Sequence, residues 1–219
     1  MKKKPILGIA LFVLFSTFIS QNKFTIDKFR IKEIKIENNE VLRDQELKQI
    51  FSFLYNKNII FLNSYEIKKN IDKKSFIERL EIKKIFPNKI VIKVFEKKPI
   101  AILIDKNKKK YYLGKKIDLI EYKKILKYEN LPTVEAEPKN FKILFDDLTK
   151  INFPTDQIIS YRHFKVNRWD IEMIDKKILK LPKNNYTKAL TNFMKIKDEI
   201  SFRKYKIFDY RLKDQLILK

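Results

Sequence analysis

Few residues in this chain are of a type and spacing that do chemistry. The only histidine, His163, stands in Tyr161-Arg162-His163-Phe164, and there is no cysteine. A lone imidazole without thiolates does not furnish the ligand set of a protein zinc site, so His163 reads as a structural or exposed strand residue. Asp146-Asp147 is a carboxylate pair on the flank of a helical pattern. Neighbours on a helix point about 100° apart, so the two do not converge on one proton or metal and belong to a solvated face. The two glycines, Gly8 and Gly114, build no glycine-rich phosphate cradle, and neither a G-x-x-x-x-G-K-[ST] loop nor a G-x-S-x-G elbow is present. Lys106–Lys110 (KNKKK) is the densest basic run. It lies between Ile100–Ile104 and Tyr111-Tyr112 and reads as a solvated hairpin tip; the alternative is a site for an acidic lipid headgroup or a polyanionic envelope component. The two tyrosines adjoin this run without interleaving with it as base-stacking platforms do. The expectation is a chain with no catalytic centre, no metal and no cofactor.

The formal charge of +23 comes from 50 Lys and Arg against 27 Asp and Glu. Only 7 of the basic residues are Arg and 43 are Lys, with 2 Gly and 4 Ala in the whole chain. Lys, Asn and Ile belong to A/T-rich codons, so genome composition accounts for the pattern. A nucleic-acid surface would draw more on Arg, which contacts phosphate and guanine bidentately. No nucleic-acid partner is expected. At 44% hydrophobic residues the chain carries ample material for a packed core.

These residues must be positioned by elements that the pattern outlines. Met1–Lys4 is a short basic tail. Residues 5–22 (PILGIALFVLFSTFISQN) carry no charge and, as a helix, extend about 27 Å, close to the hydrocarbon thickness of a bilayer. Ile6, Leu7, Leu11, Phe12, Leu14 and Phe15 would face the lipid. A cleaved signal peptide competes with an uncleaved anchor. A signal would need small residues at the A-x-A spacing, but Ser20 is preceded two positions earlier by Phe18, which favours the anchor. The lysines at the start would stay in the cytoplasm, with the bulk of the chain outside.

Behind that segment, Phe29, Ile31, Ile34 and Ile36 read as a strand with a slip at Lys32-Glu33. Asn38-Asn39 is turn chemistry. Asp44 is the expected N-cap of a helix whose Leu47, Ile50, Phe51 and Leu54 share one face. Asn63 or Ser64 caps a second short helix with Ile67 and Ile71 inward. Two further strands, Phe76–Phe86 and Lys89–Phe95, are joined by Pro87-Asn88 as a hairpin. The order is β-α-α-β-β over residues 29–98.

Residues 99–219 read as mostly antiparallel β structure with two helices. Phe141–Ile151 is helical, with Phe141, Leu144, Phe145 and Leu148 on one face. Ile158–Phe164 is a strand. Trp169, Ile171 and Met173 alternate inward on the next. After a turn at Asp175-Lys176 come strand 178–182, a helix from Tyr186 to about Ile200, and last strands at 207–211 and 215–218.

The β-α-α-β-β unit after an anchor resembles a POTRA domain. Asn58-Ile59-Ile60-Phe61, Leu80-Glu81-Ile82, Pro87, Glu96 and Pro99-Ile100-Ala101 are similar to the bacterial cell-division family FtsQ, called DivIB in Gram-positive bacteria. The Arg-Trp-Asp strand, the Leu-Pro strand, the helix and the Asp-x-Arg before a final strand are similar to that family's C-terminal β domain. The resemblance is collinear over the chain. It departs at Asn38-Asn39, where the family often has Gly-Asn, and at Asp175-Lys176, where it often has a Gly.

The resemblance implies an α+β fold with an N-terminal transmembrane helix, a POTRA domain and a β domain. It implies a non-enzymatic division scaffold in the inner membrane at the septum, type II, with its bulk periplasmic. The partners it implies are FtsB and FtsL, which would add a strand to the β domain edge, with other division proteins possible at the POTRA domain. Matched by motif, the partner-binding residues are Arg211, Leu212, Gln215, Leu216, Ile217 and Leu218, with Arg168 as a second pairing site. The alternative is a POTRA-containing accessory protein of envelope assembly or secretion; 118 residues after position 101 are too few for the many-stranded barrel of such chains.

Overall fold

The computed structural model describes residues 12, 13, 26–70, 76–213 and 215–219. Of the apolar segment 5–22 it describes Phe12 and Val13, both helical and exposed. Ile6, Leu7, Leu11, Leu14 and Phe15 lie outside the described residues, as does Ile71. Among the described residues no helix is long and apolar enough to cross a membrane.

The first sheet follows the expected order. β1 (Glu33–Glu37), α1 (Asp44–Ile50), α2 (Ser64–Lys69), β2 (Ile77–Ile85) and β3 (Lys89–Glu96) succeed one another, and the sheet runs β1-β3-β2. β1 pairs in parallel with β3, and β2 antiparallel to it. The first strand is shorter than its pattern: residues 29–31 instead lie against the 56–59 segment, where the Ile59 N–H donates to the Phe29 carbonyl at 2.9 Å. Ile31 is nonetheless fully buried, with Leu47, Phe51, Leu54, Ile59 and Ile67. Asn38 takes φ 67° in the expected turn. Arg43 rather than Asp44 is the N-cap residue of α1. Asp44 opens the helix, where its charge suits the dipole, and accepts from Asn39 Nδ2 at 2.8 Å. Asn63 caps α2 as expected, accepting from the Tyr65 N–H at 2.9 Å. Glu96, at the end of β3, accepts the N–H groups of Val41 and Leu42, each at 2.8 Å. It thereby ties the loop before α1 to the sheet.

The second sheet comprises β4 (Pro99–Ile104), β5 (Lys110–Gly114), β6 (Leu119–Glu121), β7 (Thr133–Glu135), β8 (Ile158–Phe164), β9 (Arg168–Met173), β10 (Ile178–Lys180), β11 (Ile207–Asp209) and β12 (Ile217–Leu218). Their spatial order is β12-β11-β10-β9-β8-β7-β4-β5-β6. Most neighbours are antiparallel, but β4–β7, β7–β8 and β10–β11 are parallel. Two of these parallel pairs use a helix as the crossover that parallel strands require: α3 (Pro138–Lys150) between β7 and β8, and α4 (Tyr186–Ile196) between β10 and β11. Phe141, Leu144 and Leu148 of α3 and Ala189, Leu190 and Phe193 of α4 share one core with Trp169, Ile171 and Met173. α4 stops four residues before the end its pattern gave, and a 3-10 turn at Ile200–Phe202 follows.

The two sheets meet through an aromatic cluster. Phe76 at the start of β2 contacts Tyr112 of β5 edge-on at 5.5 Å between centroids and stacks on Tyr128 at 6.2 Å. All three are buried, and they belong to the same core as Leu47 and Ile92. Ion pairs rim the contact: Glu78–Lys116 at 2.9 Å, Glu40–Lys127 at 2.5 Å and Glu46–Lys123 at 3.5 Å.

Candidate partner-binding edge

Strands 207–209 and 217–218 end the second sheet, and among the described residues no strand lies beyond β12. Its hydrogen-bonding direction follows from the register. Ile207 and Lys219 exchange both bonds, N–H to carbonyl at 3.0 and 3.1 Å. Opposite residues of an antiparallel pair alternate between bonded and non-bonded. Leu218, opposite Phe208, therefore turns its N–H and C=O to the open side. The side chains of Leu216 and Leu218 pack against the core of the sheet. Ile217 and Leu212 are 37% and 54% exposed, and Gln215 is exposed. The residues expected at the edge thus divide: Leu216 and Leu218 hold the strand on the core, while Ile217, Leu212 and Gln215 face outward.

Arg211 is not a free cation at this edge. Its guanidinium is bidentate on Asp209, with Nε to Oδ1 at 2.7 Å. Asp209 is 6% exposed, and the Arg211 fork holds its carboxyl below the usual aspartate range. The Asp-x-Arg spacing carried the signal for this pair, because residues i and i+2 of an extended segment share a face.

Arg168 is not beside Arg211. It sits on β9, three strand spacings or about 14 Å from β12, with its guanidinium over the Phe164 ring at 4.9 Å. Its Nε and Asp170 Oδ1 are buried without a hydrogen-bond partner, and burial pushes the Asp170 carboxyl up.

These residues belong to a larger arrangement. Glu135 stands opposite Arg162, Arg162 opposite Asp170, Asp170 opposite Lys180, and Lys180 opposite Asp209. The last place in the row is Ile217 of the edge strand. Charges alternate in sign across five strands, on the face opposite the one covered by α3 and α4. Opposite charges placed across strands in this way fix the register, and a strand added beyond β12 would meet this row at its apolar end.

The other chemistry-bearing residues have structural partners. His163 Nε2 lies 3.1 Å from Asn167 Oδ1, and its ring is 4.5 Å from Trp169. Asp146 pairs with Lys142 on the helix surface. Asp147, expected on the same solvated face, instead accepts from the Tyr186 hydroxyl at 2.6 Å and joins α3 to α4; that bond lowers its carboxyl pKa. The KNKKK run is the hairpin tip expected, with Asp105 Oδ1 accepting the N–H groups of Asn107 and Lys109. Among the described residues no group of three or more His, Asp or Glu is placed to hold a metal. A groove of about 1350 Å³ between the sheets is lined by residues including Arg79, Phe95, Lys98 and Lys115. Of its charged lining, Glu78 pairs with Lys116 and Lys97 with Asp118.

Comparison with known proteins bears on both halves. The family model described as POTRA domain, FtsQ-type, matches residues 29–97. The cell division protein FtsQ of Syntrophotalea carbinolica is 27% identical over 44% of this chain and 34% of that protein. FtsQ of Rickettsia conorii is 23% identical over 98% of this chain and 88% of that protein. The cell division protein DivIB of Clostridium tetani is 28% identical over 51% of this chain and 42% of that protein. The match thus spans about a third of the first relative, most of the second and under half of the third.

Proposed function

We propose, on the premise that this chain belongs to the FtsQ/DivIB family of cell-division proteins, that it is a scaffold acting by binding and not by catalysis. It is held in the inner membrane by residues 5–22, with its two sheets on the outer side, at the division septum. Its partner is an FtsB/FtsL-type complex that adds a strand beside β12, and through it early and late division proteins are linked. The POTRA domain is free to take other division proteins.

The observation that carries this reading is the open side of β12. An exposed strand edge is an aggregation liability unless something covers it, and a donated strand covers it with backbone bonds while flanking side chains select the partner. Leu218 supplies the outward N–H and C=O, and Ile217 and Leu212 supply exposed apolar contacts. Three of the five guanidinium N–H donors of Arg211 remain outside its fork on Asp209, enough to receive a partner carboxylate.

The test mixes the full chain in lipid nanodiscs with FtsB and FtsL ectodomains and reads co-elution. Leu218→Pro removes an outward N–H and spares the β11 bonds, and removal of residues 215–219 deletes the strand. Both are expected to abolish the complex. A complex that survives both changes sinks the edge as the binding site.

A further inference from the structure

The residues next to the apolar N-terminal segment converge on one end of the POTRA domain. The Ile59 N–H donates to Phe29, Ile31 to the Lys57 carbonyl, and Lys32 and Glu33 both to the Asn88 carbonyl. Arg30 bridges to Asn58. The 56–61 segment and the 84–89 turn therefore flank the point where the chain enters the fold. Three residues lie between positions 22 and 26, so the two are at most about 14 Å apart.

That end carries exposed apolar side chains. Phe61 is 81% exposed, Phe86 59%, Ile60 47% and Ile85 38%. Among the other exposed large hydrophobics, Leu126, Ile143, Val166 and Ile200 stand on separate elements, Leu212 and Ile217 belong to the β12 edge, and Ile159 and Ile174 lie on β8 and just after β9. Scattered apolar residues are ordinary on a surface, whereas a grouped set marks a contact site. Lys84 Nζ reaches the Ile60 carbonyl at 3.2 Å, which draws the β2 end and the 60–61 segment together. Lys57 is exposed beside them. The nearby acids are paired, Glu33 with Lys89 and Asp27 with Arg30, so the end is positive. Aromatic rings flanked by lysines match a membrane interface, where rings enter the headgroup layer and lysine stems extend to anionic lipid.

We propose that the POTRA tip formed by Ile60, Phe61, Ile85 and Phe86, with Lys57 and Lys84, docks on the anionic bilayer surface beside the anchor. Docking fixes the tilt of the ectodomain, so the edge at β12 is presented at a set height. The proposal rests on residues 5–22 being the anchor, and its test separates the two. The chain has no cysteine, so Phe61→Cys, Phe86→Cys, Phe12→Cys and Ile200→Cys each give one nitroxide label on the full chain. Each is reconstituted in vesicles containing phosphatidylglycerol, and collision with dissolved oxygen is compared with collision with a water-soluble nickel complex.

Labels at 61 and 86 are expected to favour oxygen several-fold over the label at Ile200, which is 84% exposed on the 3-10 turn after α4. In vesicles of phosphatidylcholine alone they are expected to shift toward nickel. If 61 and 86 match 200 while 12 favours oxygen, docking is overturned and the anchor stands. If 61 and 86 favour oxygen while 12 does not, docking stands and the anchor reading fails. An unchanged response without phosphatidylglycerol overturns the role given to the lysines.

Discussion

Arg211 forks onto Asp209, two residues before it: Nε donates to Oδ1 at 2.7 Å, Nη2 to Oδ2 at 2.5 Å, and the Arg211 backbone N–H reaches the same Oδ1 at 3.1 Å. The pair closes the corner where β11 ends and the chain turns toward β12. A charge change at Arg211 therefore acts on the fold as well as on any partner.

Arg211→Ala leaves a buried carboxylate without its counter-ion and is expected to cost about 1.5–3 kcal/mol in urea unfolding at pH 7. The double variant Asp209→Asn/Arg211→Gln replaces the ion pair by a neutral hydrogen bond and should recover a good part of that loss. Partner affinity is best read on the double variant. Binding lost there at near-normal stability assigns Arg211 to the interface, whereas binding retained makes it a structural residue of the corner.

Acid acts on the same pair with a definite sign. The Asp209 pKa is lowered by the Arg211 hydrogen bonds and the Asp147 pKa by the Tyr186 hydroxyl. Stability from both is complete above the unfolded aspartate pKa of about 3.9 and is lost as pH falls through the lower folded values. Asp170 has the opposite sign, because burial raises its pKa and its ionised form lowers stability above that raised value. Unfolding curves from pH 7 downward should show Asp209→Asn with a shallower acid loss than the parent. Asp170→Asn should be neutral or stabilising at pH 7; a loss beyond 1 kcal/mol, about fivefold in the unfolding equilibrium, would place the ionised Asp170 in the row with Arg162 and Lys180 as a net stabiliser.

The POTRA half was legible because its signals are local. The alternation in β3, the i, i+3, i+4, i+7 face that starts on α1 and continues into the 3-10 turn Ser52–Leu54, and the Asn63 cap lie within a few residues each. β6 and β7 are three residues long, too short for an alternation to register, and β7 needs β4 and β8, both distant in the chain. β12 pairs over two residues, half the run its apolar pattern gave. At the edge, the family resemblance marked Arg211 and the 215–218 run. The charge row from Glu135 to Asp209 stayed hidden, because it exists only once five strands are in register. Asp147 was misplaced for a similar reason: its partner Tyr186 arrives from a helix 39 positions away.

Phe76 couples the two sheets through Tyr112 and Tyr128, and its side chain is 3% exposed. Phe76→Ala is expected to cost about 3–5 kcal/mol, in the range of buried aromatic deletions. The parent should unfold in one transition, with tryptophan fluorescence from Trp169 and far-UV circular dichroism coinciding. In the variant the two probes should separate, because Trp169 reports the second sheet alone. Coincident transitions in the variant would place the coupling in the rim ion pairs instead.

Gly114 ends β5 where a side chain has no room. A Cβ there would stand 2.3 Å from Asp118 Oδ1, and Asp118 Oδ2 lies 3.2 Å from Lys97 Nζ. Gly114 and Asp118 also close the β5–β6 turn, with the Gly114 N–H donating to the Asp118 carbonyl at 2.9 Å. Gly114→Ala must therefore turn Asp118 away from Lys97 or shift the turn, at an expected cost of about 1–3 kcal/mol. The combination Gly114→Ala/Asp118→Ala relieves the clash and should lie closer to the single Asp118→Ala than the sum of the two changes. Additivity within about 0.5 kcal/mol in a thermal-unfolding cycle would show that the alanine methyl and the Asp118 carboxylate do not compete for this space.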